Sequence, residues 1–251
     1  YTTWRPYQRE AVEWILKQWE NNGKRAALDA PTGSGKSLTI IAAAKLKGLK
    51  MVYCVSTKQL QEQLACDFPD AVVIWGRDNY PCPRFGENSE LTAASCTHRK
   101  NTPCPKYDQC PYKRQKRRAL ASNLAVVNYP FFLNEANYVG QFSGWEIAVF
   151  DEGDLAEDEL MKFVSLKITK HQLEACRIEP PEYKTKFEAW LNWAEPTTRK
   201  VHDHLASLEA NVESYVQLDA EPPTTLMKEV LRYQRLSSKL STFAEWVDET
   251  W

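Results

Sequence analysis

At 251 residues the chain has room for one large domain or two smaller ones. Hydrophobic content of 43% and charged content of 26% are ordinary for a soluble globular protein. No apolar run approaches the length of a membrane span, and the N-terminus lacks the pattern of a signal peptide, so an intracellular (cytoplasmic, nucleoid or nuclear) protein is expected. The net charge of -1 hides an asymmetry. Residues 82–118 carry nine Lys/Arg against three Asp/Glu, whereas residues 151–251 carry twelve against twenty. A basic segment in a neutral chain is a candidate polyanion contact. The odd count of seven cysteines argues against a disulfide framework in an intracellular chain.

Residues 5–20 predict a helix whose buried face is Tyr7, Ala11, Trp14, Ile15 and Trp19, ended by Asn21-Asn22-Gly23. Within it Gln8 has the amide geometry to read an adenine edge, although alone it reads as a solvated helix residue. Residues 25–29 are expected as a short buried strand leading into Ala30-Pro31-Thr32-Gly33-Ser34-Gly35-Lys36-Ser37. This is a phosphate-binding P-loop in the variant with Ala at the first Gly position. Gly33 and Gly35 allow the tight turn that aims backbone N–H groups at phosphate oxygens. Lys36 can reach the β- and γ-phosphates, and the Ser37 hydroxyl is placed to ligate Mg²⁺. A helix over residues 37–45 sets its N-terminus toward the anion.

Strands are predicted at residues 51–55, 71–75, 124–127 and 146–150, with a helix over 58–67 capped by Thr57. Alternating strands and helices imply a mostly parallel, doubly wound sheet, with the ligand beyond the carboxyl ends of its strands. Cys54 and Cys66 read as plain small apolar residues. The last of these strands delivers Asp151-Glu152-Gly153-Asp154, a Walker B arrangement. Asp151 would hold Mg²⁺ through water, and Glu152 would orient or deprotonate the attacking water. A strand is also expected at residues 163–168. Beyond it, helices over 186–193, 201–217 and 226–247, punctuated by prolines, form an acidic helical subdomain with an apolar stripe of Val201, Leu205, Leu208, Val212 and Tyr215.

From residue 76 to about residue 112 the regular pattern stops. Such a stretch needs another organiser, and four cysteines, Cys82, Cys96, Cys104 and Cys110, can supply one. Their separations of thirteen, seven and five residues are not the paired spacing of common zinc modules. Four thiolates suit a [4Fe–4S] or [2Fe–2S] cluster or zinc, and spacing does not choose among them.

Ile74-Trp75-Gly76-Arg77-Asp78-Asn79-Tyr80-Pro81-Cys82 resembles the segment leading to the first cluster cysteine of the XPD/DinG family of iron–sulfur superfamily 2 helicases. Arg5-Pro6-Tyr7-Gln8 is similar to the family's Q motif, Ala30 to Ser37 to its motif I, and Ser56-Thr57 with Leu60-Gln61-Glu62-Gln63-Leu64 to its motif Ia region. Asn128-Tyr129 followed by Asp151-Glu152 resembles the approach to motif II. The likeness covers about residues 4–175.

The resemblance implies an α/β fold. A RecA-like P-loop domain with a mostly parallel sheet would span residues 1–75 and 119–170, a cysteine-ligated iron–sulfur insertion residues 76–118, and an α-helical arch insertion residues 171–251. It implies ATP and Mg²⁺, bound by Arg5, Gln8, Thr32, Gly33, Ser34, Gly35, Lys36 and Ser37 with Asp151. Lys36, Asp151 and Glu152 would be catalytic, and Cys82, Cys96, Cys104 and Cys110 would hold a [4Fe–4S] cluster. The implied activity is ATP-driven 5′→3′ movement on single-stranded DNA by a monomer. Lys113, Arg114, Lys116 and Arg117, and more weakly Arg77 and Lys100, are the candidate phosphate contacts.

Two features depart from the family. Asp154 stands where motif II ends in the His that links hydrolysis to DNA contact, and no motif III, arginine finger or second RecA-like domain is found. The expectation is a fragment that binds nucleotide weakly and turns it over little, its second RecA-like domain supplied by the full-length chain. The alternatives are a non-enzymatic nucleic-acid-binding module with a structural Cys₄ zinc site and a nucleotide-sensing P-loop, or a P-loop ATPase of another kind.

Overall fold

A computed structural model describes residues 3–21, 25–84, 91–96, 104–218, 220 and 222–249; of residue 216 and residues 244–249 it describes the backbone only. Asn22, Gly23 and Lys100 lie outside the described residues. The chain divides into two compact units. One comprises residues 1–76 and 114–160, the other residues 77–113 and 161–251.

The first unit is a parallel sheet with helices. Its elements are α1 (Pro6–Glu20), α2 (Lys36–Lys47), β1 (Met51–Val55), α3 (Lys58–Asp67), β2 (Val72–Val73), β3 (Leu124–Asn128), α5 (Tyr129–Asn134) and β4 (Ile147–Phe150). It also takes most of α4 (Pro111–Ala121) and of α6 (Ala156–Val164). The strand order is β2-β3-β1-β4, with every pairing parallel. The central β1 is buried at all five positions, as its uninterrupted apolar run requires of a strand covered on both faces. Its core joins Met51, Tyr53 and Val55 to Ile41 and Ala44 of α2, Leu64 of α3, Val126 of β3 and Val149 of β4. Thr57 caps α3 by accepting from Leu60 N at 3.3 Å, as the sequence predicts.

Three expectations change here. Residues 25–29 form no strand, and Arg25, Ala26, Ala27 and Asp29 are exposed. Two alanines and two charges around a single Leu28 have little to bury and weak β preference. The inward stripe of α1 is Gln8, Val12 and Ile15, packed with Trp19 against Ala43, while Tyr7 and Trp14 are exposed. A helix stripe drifts around the axis, and the spacing alone admitted a face displaced from the true one. Residues 163–168 are not a strand: α6 runs through Val164, its first turn bearing Glu157, Asp158 and Glu159, which favour a helix start.

The second unit holds two short 3₁₀ turns (Arg77–Asn79 and Ala93–Ser95) and α7 (Lys170–Ala175), α8 (Phe187–Gln217) and α9 (Thr224–Glu249). The helix α8 passes through Pro196 without a break, where the sequence predicted two helices. Packing of one face overrides the local breaker: Val201 and Leu205 bury against Val230, Tyr233, Leu236 and Leu240 of α9. Leu166 and Ile168 join this core from the irregular segment after α6. Among the described residues no helix is long and apolar enough to cross a membrane.

Candidate nucleotide-binding site

The P-loop connects to α2, with Gly35 as its N-cap. Gly33 and Gly35 lie at φ of +78° and +86°, in the left-handed region that only glycine adopts without strain. A Cβ on Gly35 would also fall 2.4 Å from Gln8 Nε2, which real contacts do not allow. The side chain that closes on the glycine is thus the Q-like glutamine. Gln8 is buried, not solvated: its Nε2 donates to Ser34 O at 2.9 Å, and its Oε1 accepts from Arg5 N at 3.2 Å. Arg5 donates through its guanidinium to Gly33 O at 3.2 Å. Arg5 and Gln8 therefore grip the P-loop backbone directly. Through these bonds Gln8 acts on the loop that carries the phosphates, and one Nε2 hydrogen and one Oε1 lone pair are left over.

Lys36 Nζ donates to Ala30 O at 2.7 Å, so the ammonium lies across its own loop. Thr32 and Gly33 are exposed, Ser34 half-buried, and Ser34 Oγ has no hydrogen-bond partner. Thr39 Oγ1 donates to Gly35 O at 3.0 Å and locks the first turn of α2.

The Walker B residues follow β4. Asp151 N donates to Cys54 O at 2.9 Å, continuing the sheet register, and Asp151 O accepts from the Tyr129 hydroxyl at 2.8 Å. Glu152 adopts φ +51° and ψ +57°. A left-handed glutamate costs about 1–2 kcal/mol, and such strain at a candidate catalytic residue is what sites of chemistry store. Glu152 N donates to Asp151 Oδ1 at 3.2 Å, so the two carboxylates are held in one turn. Asp154 is exposed.

Neighbouring residues of β1 reach the two motifs. The Tyr53 hydroxyl donates to Ser37 Oγ at 3.0 Å, and the carbonyl of Cys54 accepts from Asp151 N at 2.9 Å. Burial, reinforced by Asp151, pushes the Tyr53 phenol well above its ordinary pKa. Tyr129 is pushed up to about 12, by burial first and then by Cys54 and Asp151. Both hydroxyls therefore stay protonated as neutral donors. The two candidate Mg²⁺ residues, Ser37 and Asp151, are thus held from adjacent residues of β1. Sequence reading passed over Tyr53, although a tyrosine in the middle of a core strand signals a hydroxyl that needs a partner.

The remaining candidates separate. In the second unit, burial raises the Cys82 thiol, and the Cys96, Cys110 and Cys104 thiols raise it further, so the four share one electrostatic neighbourhood. Among the described residues no group of three or more His, Cys, Asp or Glu stands close enough to hold a metal ion. Arg77, exposed, donates to Ala93 O at 2.9 Å and Cys96 O at 3.1 Å, bracing the cysteine segment. On α4, Lys113 is half-buried over the rings of Tyr107 and Tyr112 at 5.4 and 6.0 Å, and Arg114 and Arg117 are exposed. Lys116 does not join them. It is buried and paired with Glu135, so the expectation that it contacts DNA is corrected: the inward face of an otherwise basic helix required an internal partner.

A parallel sheet, a P-loop at a helix N-terminus and an acidic pair beyond β4 define a RecA-like P-loop nucleotide-binding domain. Residues 1–130, just over half of the chain, match the family described as the res subunit of type III restriction enzymes, and the chain belongs to this helicase-type family. It is also 23% identical over 230 residues to the ATP-dependent DNA helicase YoaA of Haemophilus influenzae, a match that covers 66% of this chain. The chain spans about a third (36%) of that relative's length.

Proposed function

We propose that this chain is the ATP-binding part of an iron–sulfur DNA helicase of the XPD/DinG kind. The observation that carries the reading is that adjacent residues of β1 hold Ser37, through the Tyr53 hydroxyl, and Asp151, through Cys54 O, which brings a P-loop metal ligand and a Walker B residue to one strand end. The P-loop N–H groups from Thr32 to Ser37 cradle the phosphates, Lys36 takes the β- and γ-oxygens, and Ser37 with Asp151 holds Mg²⁺. Glu152 orients the water that attacks the γ-phosphate. The likeness to the Haemophilus helicase supports the reading.

Cys82, Cys96, Cys104 and Cys110 would hold the [4Fe–4S] cluster. Their all-thiolate chemistry suits it, while in this structure no three of them stand close enough to hold a metal. The cluster would supply a rigid organiser for a segment with little apolar core. Lys113, Arg114 and Arg117 track the phosphates of single-stranded DNA, with 5′→3′ movement, and the helices of the second unit serve as the arch. A second RecA-like domain closes over the nucleotide in the full-length protein. These 251 residues alone bind nucleotide weakly and hydrolyse it little.

The test is an anaerobic preparation read for colour, iron, sulfide and zinc, and then for binding of ATP. Absorbance near 400 nm with about four iron and four sulfide per chain, and ATP binding lost in Lys36→Ala, is the expected result. About one zinc without sulfide would replace the cluster with a structural zinc module. Robust DNA-stimulated turnover by this chain alone would overturn the need for a second domain.

A further inference from the structure

Tyr53 is the one polar side chain within β1, and it is fully buried. It sits in the core cluster with Val55, Val126 and Val149, so the packed neighbours hold its ring. Its hydroxyl is delivered at a fixed point, 3.0 Å from Ser37 Oγ. By donating there it fixes the serine rotamer and leaves a second Oγ lone pair for a cation. Asp151 is anchored through its backbone, its N to Cys54 O and its O to the Tyr129 hydroxyl. Adjacent residues of β1 therefore hold two groups that are 114 positions apart in the chain.

We propose that Tyr53 is a positioning residue for the magnesium–nucleotide complex: it sets the orientation of Ser37 Oγ before the metal arrives. This rests on the reading of Ser37 and Asp151 as the Mg²⁺ pair. A positioning hydroxyl of this kind acts on the metal-dependent part of nucleotide binding and leaves the backbone–phosphate part alone.

The test is Tyr53→Phe, which keeps the ring and removes only the hydroxyl. Binding of N-methylanthraniloyl-ADP is followed by fluorescence, without divalent cation and then across a Mg²⁺ titration, in the intact chain. The expected result is a metal-free affinity within about twofold of wild type and a Mg²⁺ half-saturation raised about three- to tenfold, the size of one lost hydrogen bond. In a Ser37→Ala background the same substitution produces little further shift, because the group it positions is gone. An unchanged half-saturation in Tyr53→Phe overturns the inference. So does an equal fall in metal-free and metal-dependent affinity, which a packing defect gives, or a full-sized shift in the Ser37→Ala background. A wild-type chain that binds no probe at any Mg²⁺ concentration overturns the ATP-binding reading and this inference together, whereas normal wild-type binding with an indifferent variant overturns the inference alone.

Discussion

The two units hold their shape by different means. In the first, strands distant in sequence pair side by side, and the apolar runs of β1 and β3 are buried on both faces. Polar side chains in its interior link one motif to another. Gln8 grips the P-loop, Tyr53 holds Ser37, and Lys116 meets Glu135. In the second, α8 and α9 form one long antiparallel contact through a stripe of Val, Leu and Tyr, and the cysteine segment carries short turns and few apolar residues of its own. The contrast teaches where each unit is vulnerable. The sheet unit depends on a few polar links between motifs, and the helical unit on the volume of its apolar stripe.

The largest effect is expected at the buried ion pair. Lys116 and Glu135 are 7% and 6% exposed, and Glu135 Oε2 has no hydrogen-bond partner. Lys116→Met leaves a carboxylate buried alone and should cost about 3–5 kcal/mol, whereas Lys116→Met with Glu135→Leu should recover most of that loss. Urea midpoints of the two variants check it, and a mild single variant would mean that α4 is not anchored through this pair.

Next comes Leu240→Ala, at a fully buried position in the α8–α9 stripe. A loss of about 2–5 kcal/mol is expected, read as a lowered melting midpoint with nucleotide affinity retained. Loss of nucleotide binding in this variant would break the distinction between the units. The smallest effect on stability is expected for Gly35→Ala. The left-handed backbone costs about 1–2 kcal/mol, and displacement of Gln8 from Ser34 adds a weakened hold on the loop. Nucleotide binding should fall more than stability does, as calorimetric titration alongside thermal melting would show.

Much of the sheet unit was legible because its cues are local. Met51–Val55 and Leu124–Asn128 are unbroken apolar runs, Thr57 is a capping residue before a helix, and the P-loop is a contiguous pattern. What failed was orientation and continuity. The face of α1 was misjudged because Tyr7 and Trp14 are large, yet they lie outward while the amide of Gln8 lies inward. The break expected near Pro196 did not occur, because α9 supplies a packed face that outweighs one missing backbone hydrogen bond. The basic run on α4 looked uniform, and only its packing separates Lys116 from Arg114 and Arg117.

The sequence by itself determined the P-loop, the Asp151-Glu152 pair and the parallel α/β character, since phosphate binding and buried parallel strands each demand particular residue types in a short span. The tertiary structure alone decided that Gln8 closes on Gly35, that Lys116 turns inward to Glu135, and that Tyr53 holds Ser37. Those are contacts between residues far apart in the chain. A buried polar group takes whichever partner the packed backbone brings within reach, and no local pattern records that partner.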